Sequence, residues 1–371
     1  MYRNEPQLRA RQIGLSLIEL MIALVVGLIL MAGVISIFIA SRQSYGINNA
    51  VGQIQENGRF ALDFIRTDTR LAGYMGCANS ASTVSDLNTG PVSNLPYDFG
   101  TAITGFEYIG TTPGDNYTEA TSLNPVTSTA NWSPVLDPTL QNLVIPGTDV
   151  LVVRYSKGGT YPIYINDIPS SPSADFKVTT NGGLAAGDLI LVSNCLNAVV
   201  MQVTNVTGGG INIVHNTGGT YQPGNALQTL PTSFLNGQVV IPTTVVFYIG
   251  RGADLSPALF EAVTNAGSAN GFTSNELVSG VENMQVLYGV DLTGSQIPSE
   301  YDTAATVDAT GNWGNVVSVR IALLLRSETG TVPLPATAPI YNLLGTNIKA
   351  PQDTRLRQIF TSTIAIRNRL P

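Results

Sequence analysis

The chain has 371 residues, of which 44% are hydrophobic and 12% charged, so it can bury a sizeable core and is not a disordered protein. Its formal net charge of -7 argues against a protein that works by binding nucleic acid phosphates. The 37 glycines, the 21 prolines and the short runs rich in Val, Ile, Thr and Tyr predict a β-rich body.

The first element is an apolar run, residues 15–40, which as a helix rising about 1.5 Å per residue spans roughly 39 Å, enough to cross a bilayer. It is too long for a cleaved secretory signal, whose apolar stretch has only about 7 to 15 residues. The cations Arg3, Arg9 and Arg11 precede it and the long polar body follows. The positive-inside rule therefore places the N-terminus in the cytoplasm and the body on the far side.

One carboxylate, Glu19, lies inside this run, where a plain membrane anchor gives no reason for it. It belongs to the sequence GLSLIELMI, which starts at Gly14. This motif closely resembles the class III leader of type IV pilins and type II secretion pseudopilins. The resemblance implies that a prepilin peptidase cuts after Gly14 and methylates the new N-terminus at Leu15.

The resemblance also implies a role for Glu19, which becomes the fifth residue after cleavage. A carboxylate in the first turn is favoured by the helix dipole and by the new amine of Leu15. Within a membrane it needs a partner, and the family implies the N-terminal amine of a neighbouring subunit during fibre assembly. Leu15 replaces the usual Phe and Ser36 replaces a frequent Pro, which favours a specialised minor subunit over a major fibre protein.

The helix is predicted to continue to about Gly73, with a bend near Gly46, Gly52 and Gly58. Its apolar stripe is predicted to pack on the protein's own sheet. The predicted stripe consists of Ile47, Val51, Ile54, Ala61, Ile65 and Leu71.

Residues 78–146 are rich in Ser, Thr, Asn, Gly and Pro and predict irregular structure with short strands. Short runs rich in apolar residues then predict a series of strands separated by Gly-rich breaks. The predicted strands are 149–155, 188–193, 199–206, 211–214, 239–249, 284–290 and 316–326.

Four segments resemble the minor pilin W (PilW) family: 60–77, 187–203, 277–291, whose motif is shared with secretion pseudopilin J, and 355–371. That family implies a role in priming pilus assembly and in the tip complex, hence in adhesion and twitching motility. The alternatives are a type II secretion pseudopilin of the J type and a tip-displayed adhesin that binds a ligand through residues 78–186.

The only cysteines are Cys77, just after the predicted helix, and Cys195, just after a predicted strand. Since the predicted topology places both on the oxidising side of the membrane, a disulfide between them is expected, with two free buried thiols as the alternative. Such a bridge would tie the helix end to the sheet.

The residues for catalysis are not recognisable. His215 is the sole histidine, which excludes a multi-histidine metal site and the usual Ser-His-Asp triad, and it is predicted to be exposed at a strand end. Asp291, Glu300 and Asp302 lack the spacing of an EF-hand and predict a solvated acidic loop. We expect no enzyme activity, cofactor or metal.

Four arginines near the C-terminus are expected to lie on one side of a strand, for solubility or a subunit contact. They are Arg355, Arg357, Arg367 and Arg369.

The sequence therefore predicts an α+β, pilin-like fold: a long N-terminal transmembrane helix packed on a β-rich, mainly antiparallel periplasmic domain. The expected parts are a leader (1–14), an assembly helix (15–40), its continuation (41–74) and the domain (75–371). The expected location is the inner membrane, then the pilus tip. The expected partners are other minor pilins, the major pilin, the prepilin peptidase, the assembly platform and a large tip adhesin.

Overall fold

The structure, a computed structural model, describes residues 16–79, 83–88, 95–120, 124–157, 162–168, 174–217, 220–229, 233–266 and 271–369. It has a long N-terminal helix packed on mostly antiparallel sheets, which confirms the predicted α+β, pilin-like class. A second, short helix, α2, covers Ala304–Thr310.

Helix α1, Leu17–Thr69, is continuous over 53 residues, or about 80 Å at 1.5 Å per residue. Only its second half is buried, along a stripe with spacings of three and four that follows one helical face. The buried residues of α1 are Ala50, Ile54, Gly58, Ala61, Ile65 and Thr69.

The predicted stripe was therefore confirmed at Ile54, Ala61 and Ile65, which are buried. Ile47 and Val51 are half-buried, and Leu71 lies beyond the helix end with 39% of its surface exposed. The helix ends at Thr69 instead of continuing to Gly73, because Leu71–Gly73 form a turn in which the amide of Gly73 donates to the carbonyl of Arg154.

In chain order the strands are β1 (Tyr74–Met75), β2 (Ala78–Asn79), β3 (Thr83–Ser85), β4 (Ile103–Tyr108), β5 (Asn116–Thr118), β6 (Trp132–Ser133), β7 (Val150–Lys157), β8 (Ile163–Asp167), β9 (Asp175–Val178), β10 (Leu189–Ser193), β11 (Ala198–Gln202), β12 (Asn205–Thr207), β13 (Asn212–Val214), β14 (Gln238–Arg251), β15 (Pro257–Thr264), β16 (Phe272–Ser279), β17 (Val281–Val290), β18 (Glu300–Asp302), β19 (Val316–Arg326), β20 (Ile340–Leu343), β21 (Thr346–Lys349) and β22 (Arg357–Ala365). The two longest strands, β14 and β19, lie in the second half of the chain.

The largest sheet is organised around β14, the longest strand. One side of β14 pairs with β7 and β8, and the other side pairs with β10 and β15. Beyond these, β4 extends β7, β16 extends β15, and β11 extends β10. Nearly all pairs are antiparallel, and β3 joins β11 in parallel.

A second sheet has the strand order β18-β17-β19-β22. Strands β17 and β19 are buried along almost their whole length, since they lie between α1, the large sheet and a small sheet of β20, β21 and β5. The second half of α1 packs on β22 and β19 of one sheet and on β16 and β7 of the other. Its buried stripe thus shares one hydrophobic core with both sheets.

Gly58 lies where α1 packs tightly on β22. A Cβ placed on Gly58 would lie 2.6 Å from ring atoms of Phe360, so the ring occupies the space that a side chain would take. The sequence predicts only that this glycine weakens the helix. In the structure, the absence of a side chain at Gly58 makes room for the ring of Phe360.

We predict that Gly58→Ala lowers the free energy of unfolding by about 1–3 kcal/mol, because the added methyl group overpacks the contact with Phe360. The matched control is Gly52→Ala in the same helix, which meets no atom within 4 Å. It should raise stability by about 0.5–1 kcal/mol through helix propensity. Denaturant unfolding of the two full-length variants measures both, and a stabilised Gly58→Ala would contradict the packing role.

Candidate assembly site

Glu19 lies in the first turn of α1 and closes a capping box with Ser16. The amide of Glu19 donates to Ser16 Oγ at 3.2 Å, while the amide and hydroxyl of Ser16 both donate to Glu19 Oε2 at 3.0 Å. The carboxylate thus satisfies the amide of Ser16, and the hydroxyl of Ser16 satisfies the amide of Glu19. Glu19 is exposed.

The predicted cleavage residues Gly14 and Leu15 lie outside the described residues. Sequence reasoning missed Ser16, although Ser-x-x-Glu before an apolar run is a recognised helix-start signal.

Residues 17–40 of α1 are apolar on every side and contact no other part of the described chain closely enough to be buried. The helix is long and apolar enough to cross a membrane. Leu17 is 78% exposed and Phe38 66%. A helix that is hydrophobic all round needs lipid or other helices around it. This half of α1 therefore offers a surface for other apolar helices.

Small residues shape that surface. Gly27 and Gly33 meet no atom within 4 Å beyond their own helix, so another backbone could approach closely there. The hydroxyl of Ser36 donates to the carbonyl of Gly33 at 2.8 Å, which satisfies it without a partner helix.

A disulfide joins Cys77 to Cys195, with 4.5 Å between their Cα atoms. Cys77 follows β1 just after the end of α1, and Cys195 lies in the turn between β10 and β11 with φ of 70°. The side chain of Asn194 accepts from the amides of Leu196 and Asn197, which stabilises that turn. The bridge ties the region after α1 to the large sheet, as expected.

A buried ionic cluster holds the C-terminal strand under α1. Glu282 on β17 accepts from Arg326 on β19 and from Arg357 on β22, and Arg357 also forms two hydrogen bonds, of 2.7 and 2.8 Å, to Asp353. Arg357 is 6% exposed. Its predicted surface role was wrong, because Glu282, which lies 75 positions away in sequence, binds its guanidinium in the interior.

The other C-terminal arginines differ from one another. Arg355 is half-buried and donates to the carbonyl of Ser327, whereas Arg367 is exposed. The side chain of Arg369 lies outside the described part of the chain.

Asp149 joins the two sheets on which α1 packs. Its carboxylate accepts from the amide of Tyr108 on β4 at 3.1 Å and from the amide of Val286 on β17 at 2.8 Å. Glu107, also buried, bonds to the same carboxylate. Burial, and then the charge of Asp149, raises the pKa of Glu107, so Glu107 keeps its proton at neutral pH and donates it to Asp149.

Two further expectations concern polar residues of the body. His215 is buried against Phe176, with 5.8 Å between ring centres, instead of being exposed. It is held there by its backbone, whose amide donates to the carbonyl of Ala174 and whose carbonyl accepts from Asn225. Burial lowers the pKa of His215, which favours the neutral ring.

Asp291 is part of a closed turn. Its oxygens accept from the amides of Thr293, Gly294, Ser295 and Gln296, which engages both carboxylate oxygens. Within the described residues, no cluster of three or more His, Cys, Asp or Glu side chains could hold a metal ion.

Comparison with known families gives two matches. Residues 246–368 match the family described as Type IV Pilus-assembly protein W, and residues 9–35 match the prokaryotic N-terminal methylation motif. The first match starts within β14 and includes β17, β19 and β22, the strands joined by the ionic cluster. No curated protein and no solved structure matches the chain.

We predict that replacing both cysteines by serine lowers the free energy of unfolding by about 4–5 kcal/mol on the chain-entropy account, since the bridge spans a sequence separation of 118. Denaturant unfolding with and without a reducing agent measures this. Reduction should destabilise the wild-type protein and leave the double variant unchanged. Equal stability of the oxidised wild type and the variant would contradict the prediction.

We also predict that the free energy of unfolding depends on pH through Glu107, which lies where the two sheets meet. The folded state keeps a proton on Glu107 that the unfolded chain releases above the ordinary glutamate pKa, so this group makes stability fall as pH rises from about 5 to 8. Glu107→Gln keeps a donor to Asp149 and removes the titration. Its stability should vary less with pH and exceed that of the wild type at pH 8.

The measurement is denaturant unfolding across that pH range. The matched control is Glu56→Gln on the exposed face of α1, which should keep the wild-type slope. If Glu107→Gln also kept the wild-type slope, the buried-proton assignment would be wrong.

Proposed function

Because the chain belongs to the Type IV pilus-assembly protein W family and carries the N-terminal methylation motif, we propose that it is a minor type IV pilin that helps to prime pilus assembly and joins the tip complex. The observation that carries this proposal is the apolar half of α1, which lacks a partner among the described residues and begins with the exposed carboxylate of Glu19. The family is structural and not enzymatic.

In this proposal residues 1–14 are removed as a leader, and the helix is anchored in the inner membrane with residues 15–40. Residues 41–74 and the domain 75–371 then lie on the periplasmic side, where a disulfide can form. The partners are the prepilin peptidase, the assembly platform, the major pilin, other minor pilins and a large tip adhesin.

The alternatives predict different phenotypes. A type II secretion pseudopilin of the J type would use the same kind of helix in a secretion system, but the family match to a pilus-assembly protein favours the pilus. An adhesin acting through residues 78–186 would lose attachment and keep its pili when that region is deleted.

Glu19 separates helix capping from pairing between subunits. Glu19→Ala should be processed and inserted yet fail to support pilus assembly. Glu19→Gln keeps the hydrogen bonds of the capping box but removes the charge, so it should fail as well. Ser16→Ala weakens the cap and keeps the charge, so it should assemble pili.

Counts of surface pili by electron microscopy, with immunoblots of processing, measure all three variants in a strain lacking the native gene. Normal pili with Glu19→Gln would overturn the pairing of the carboxylate with an amine. Loss of pili with Ser16→Ala alone would assign the role to capping.

Gly14 tests the processing step. A bulky substitution such as Gly14→Leu should block the peptidase and leave the 14-residue leader attached, which a slower band on a denaturing gel would reveal. The matched control is Gly27→Leu, a glycine within the helix, which should still be cut. A normally processed Gly14→Leu would show that cleavage occurs elsewhere.

A further inference from the structure

The large sheet contains a notch beside β14. On one side of this strand, β10 pairs with Gln238–Val240 and β15 with Val245–Arg251, so the described strands leave residues 241–244 unpaired there. On the opposite side, β8 pairs with residues 238–239 and β7 pairs with residues 241–247, so that residues 241–244 have partners there. The notch opens into a groove of about 550 Å³, within the usual range for small-molecule sites.

Pro242 explains the notch. Thr244 directs its backbone toward β15, where its amide and carbonyl both bond to the hydroxyl of Thr264, and residues two apart in a strand point the same way. Pro242 therefore presents its carbonyl to the groove and has no N–H to offer a neighbouring strand. The groove suits a ligand that donates hydrogen bonds better than an added peptide strand.

Tyr221 provides a fixed aromatic wall. Its ring lies against Gly187, where a Cβ would be 2.9 Å from Cδ1, and 42% of the residue remains exposed. Gln202, buried beneath, donates to the carbonyls of Gly187 and Gln222 at 2.9 Å and accepts from the amide of Gly224 at 2.7 Å. These bonds hold both the wall and its backing before any ligand arrives.

The charge of the groove restricts the ligand. Asp188 contributes a carboxylate, one oxygen of which accepts from the amide of Ala185, and no Lys, Arg or His is among the described lining residues. An anionic ligand would be repelled. The remaining polar lining is neutral and includes Thr243, Thr264 and Thr273.

We propose that this groove binds a neutral saccharide. The C–H face of a pyranose ring is apolar and fits the ring of Tyr221, while its hydroxyls donate to Asp188 and to the carbonyl of Pro242. The inference concerns the body alone and does not depend on a role in pilus assembly.

The test is saturation-transfer NMR on the full chain in a detergent without a sugar headgroup. The probes are the methyl β-glycosides of glucose, galactose, mannose and N-acetylglucosamine, with sialic acid as the anionic comparison. At least one neutral glycoside should bind, and sialic acid should not. Absence of binding by all four neutral probes, or binding of sialic acid alone, would overturn the proposal.

Substitutions in the groove test whether the saccharide binds there. Tyr221→Ala should weaken it by about tenfold or more, Tyr221→Phe should retain it, and Asp188→Asn should weaken it. The matched control is Tyr164→Ala, a tyrosine of similar exposure outside the groove lining, which should bind like the wild type. Unchanged affinity in both Tyr221→Ala and Asp188→Asn would place the saccharide elsewhere and contradict the assignment.

Discussion

One continuous helix has to satisfy two environments, and the rest of the structure depends on this constraint. The first half of α1 is apolar on all sides and has no core to enter within the described chain, whereas the second half buries a narrow stripe against the body. Because the helix is unbroken, the body determines the direction in which the exposed half leaves it. A surface for other helices is useful to an assembly only if that direction is fixed.

Several interactions fix it. The stripe on α1 packs across two sheets. Asp149 connects those sheets, because its carboxylate accepts a hydrogen bond from one backbone amide of each sheet. Glu282 holds β22 in place through Arg357. The disulfide then ties the region after the helix to the far part of the large sheet. Buried charges of this kind are costly unless they are fully paired, so each favours one arrangement of the strands.

Local patterns predicted the helix, the strands at 149–155 and 316–326 and the special status of Glu19, because these depend on residues near one another in sequence. Arg357 could not be placed in the same way, since its partner Glu282 is 75 positions away. From the sequence alone, Gly58 is a residue that weakens the helix, and its packing role is recognisable only once the structure shows Phe360 in contact with it. His215 follows a strand in a polar stretch, and nothing local indicates that Phe176 will cover it.

The candidate site shows the same division. Its chemistry, a carboxylate in an apolar run, is visible in the sequence, and so is the Ser-x-x-Glu signal of its cap. The platform that orients the helix is not visible, because it is built from contacts between strands that lie far from α1 along the chain.

The most direct test of the central claim is a count of surface pili in a strain that lacks this gene, with retraction intact and with retraction disabled, alongside an assay of secreted enzymes. Lost or sharply reduced pili with normal secretion, restored by the wild-type gene, is the result that a role in pilus assembly predicts. Normal pili with failed secretion would contradict it and assign the helix to a secretion pseudopilus.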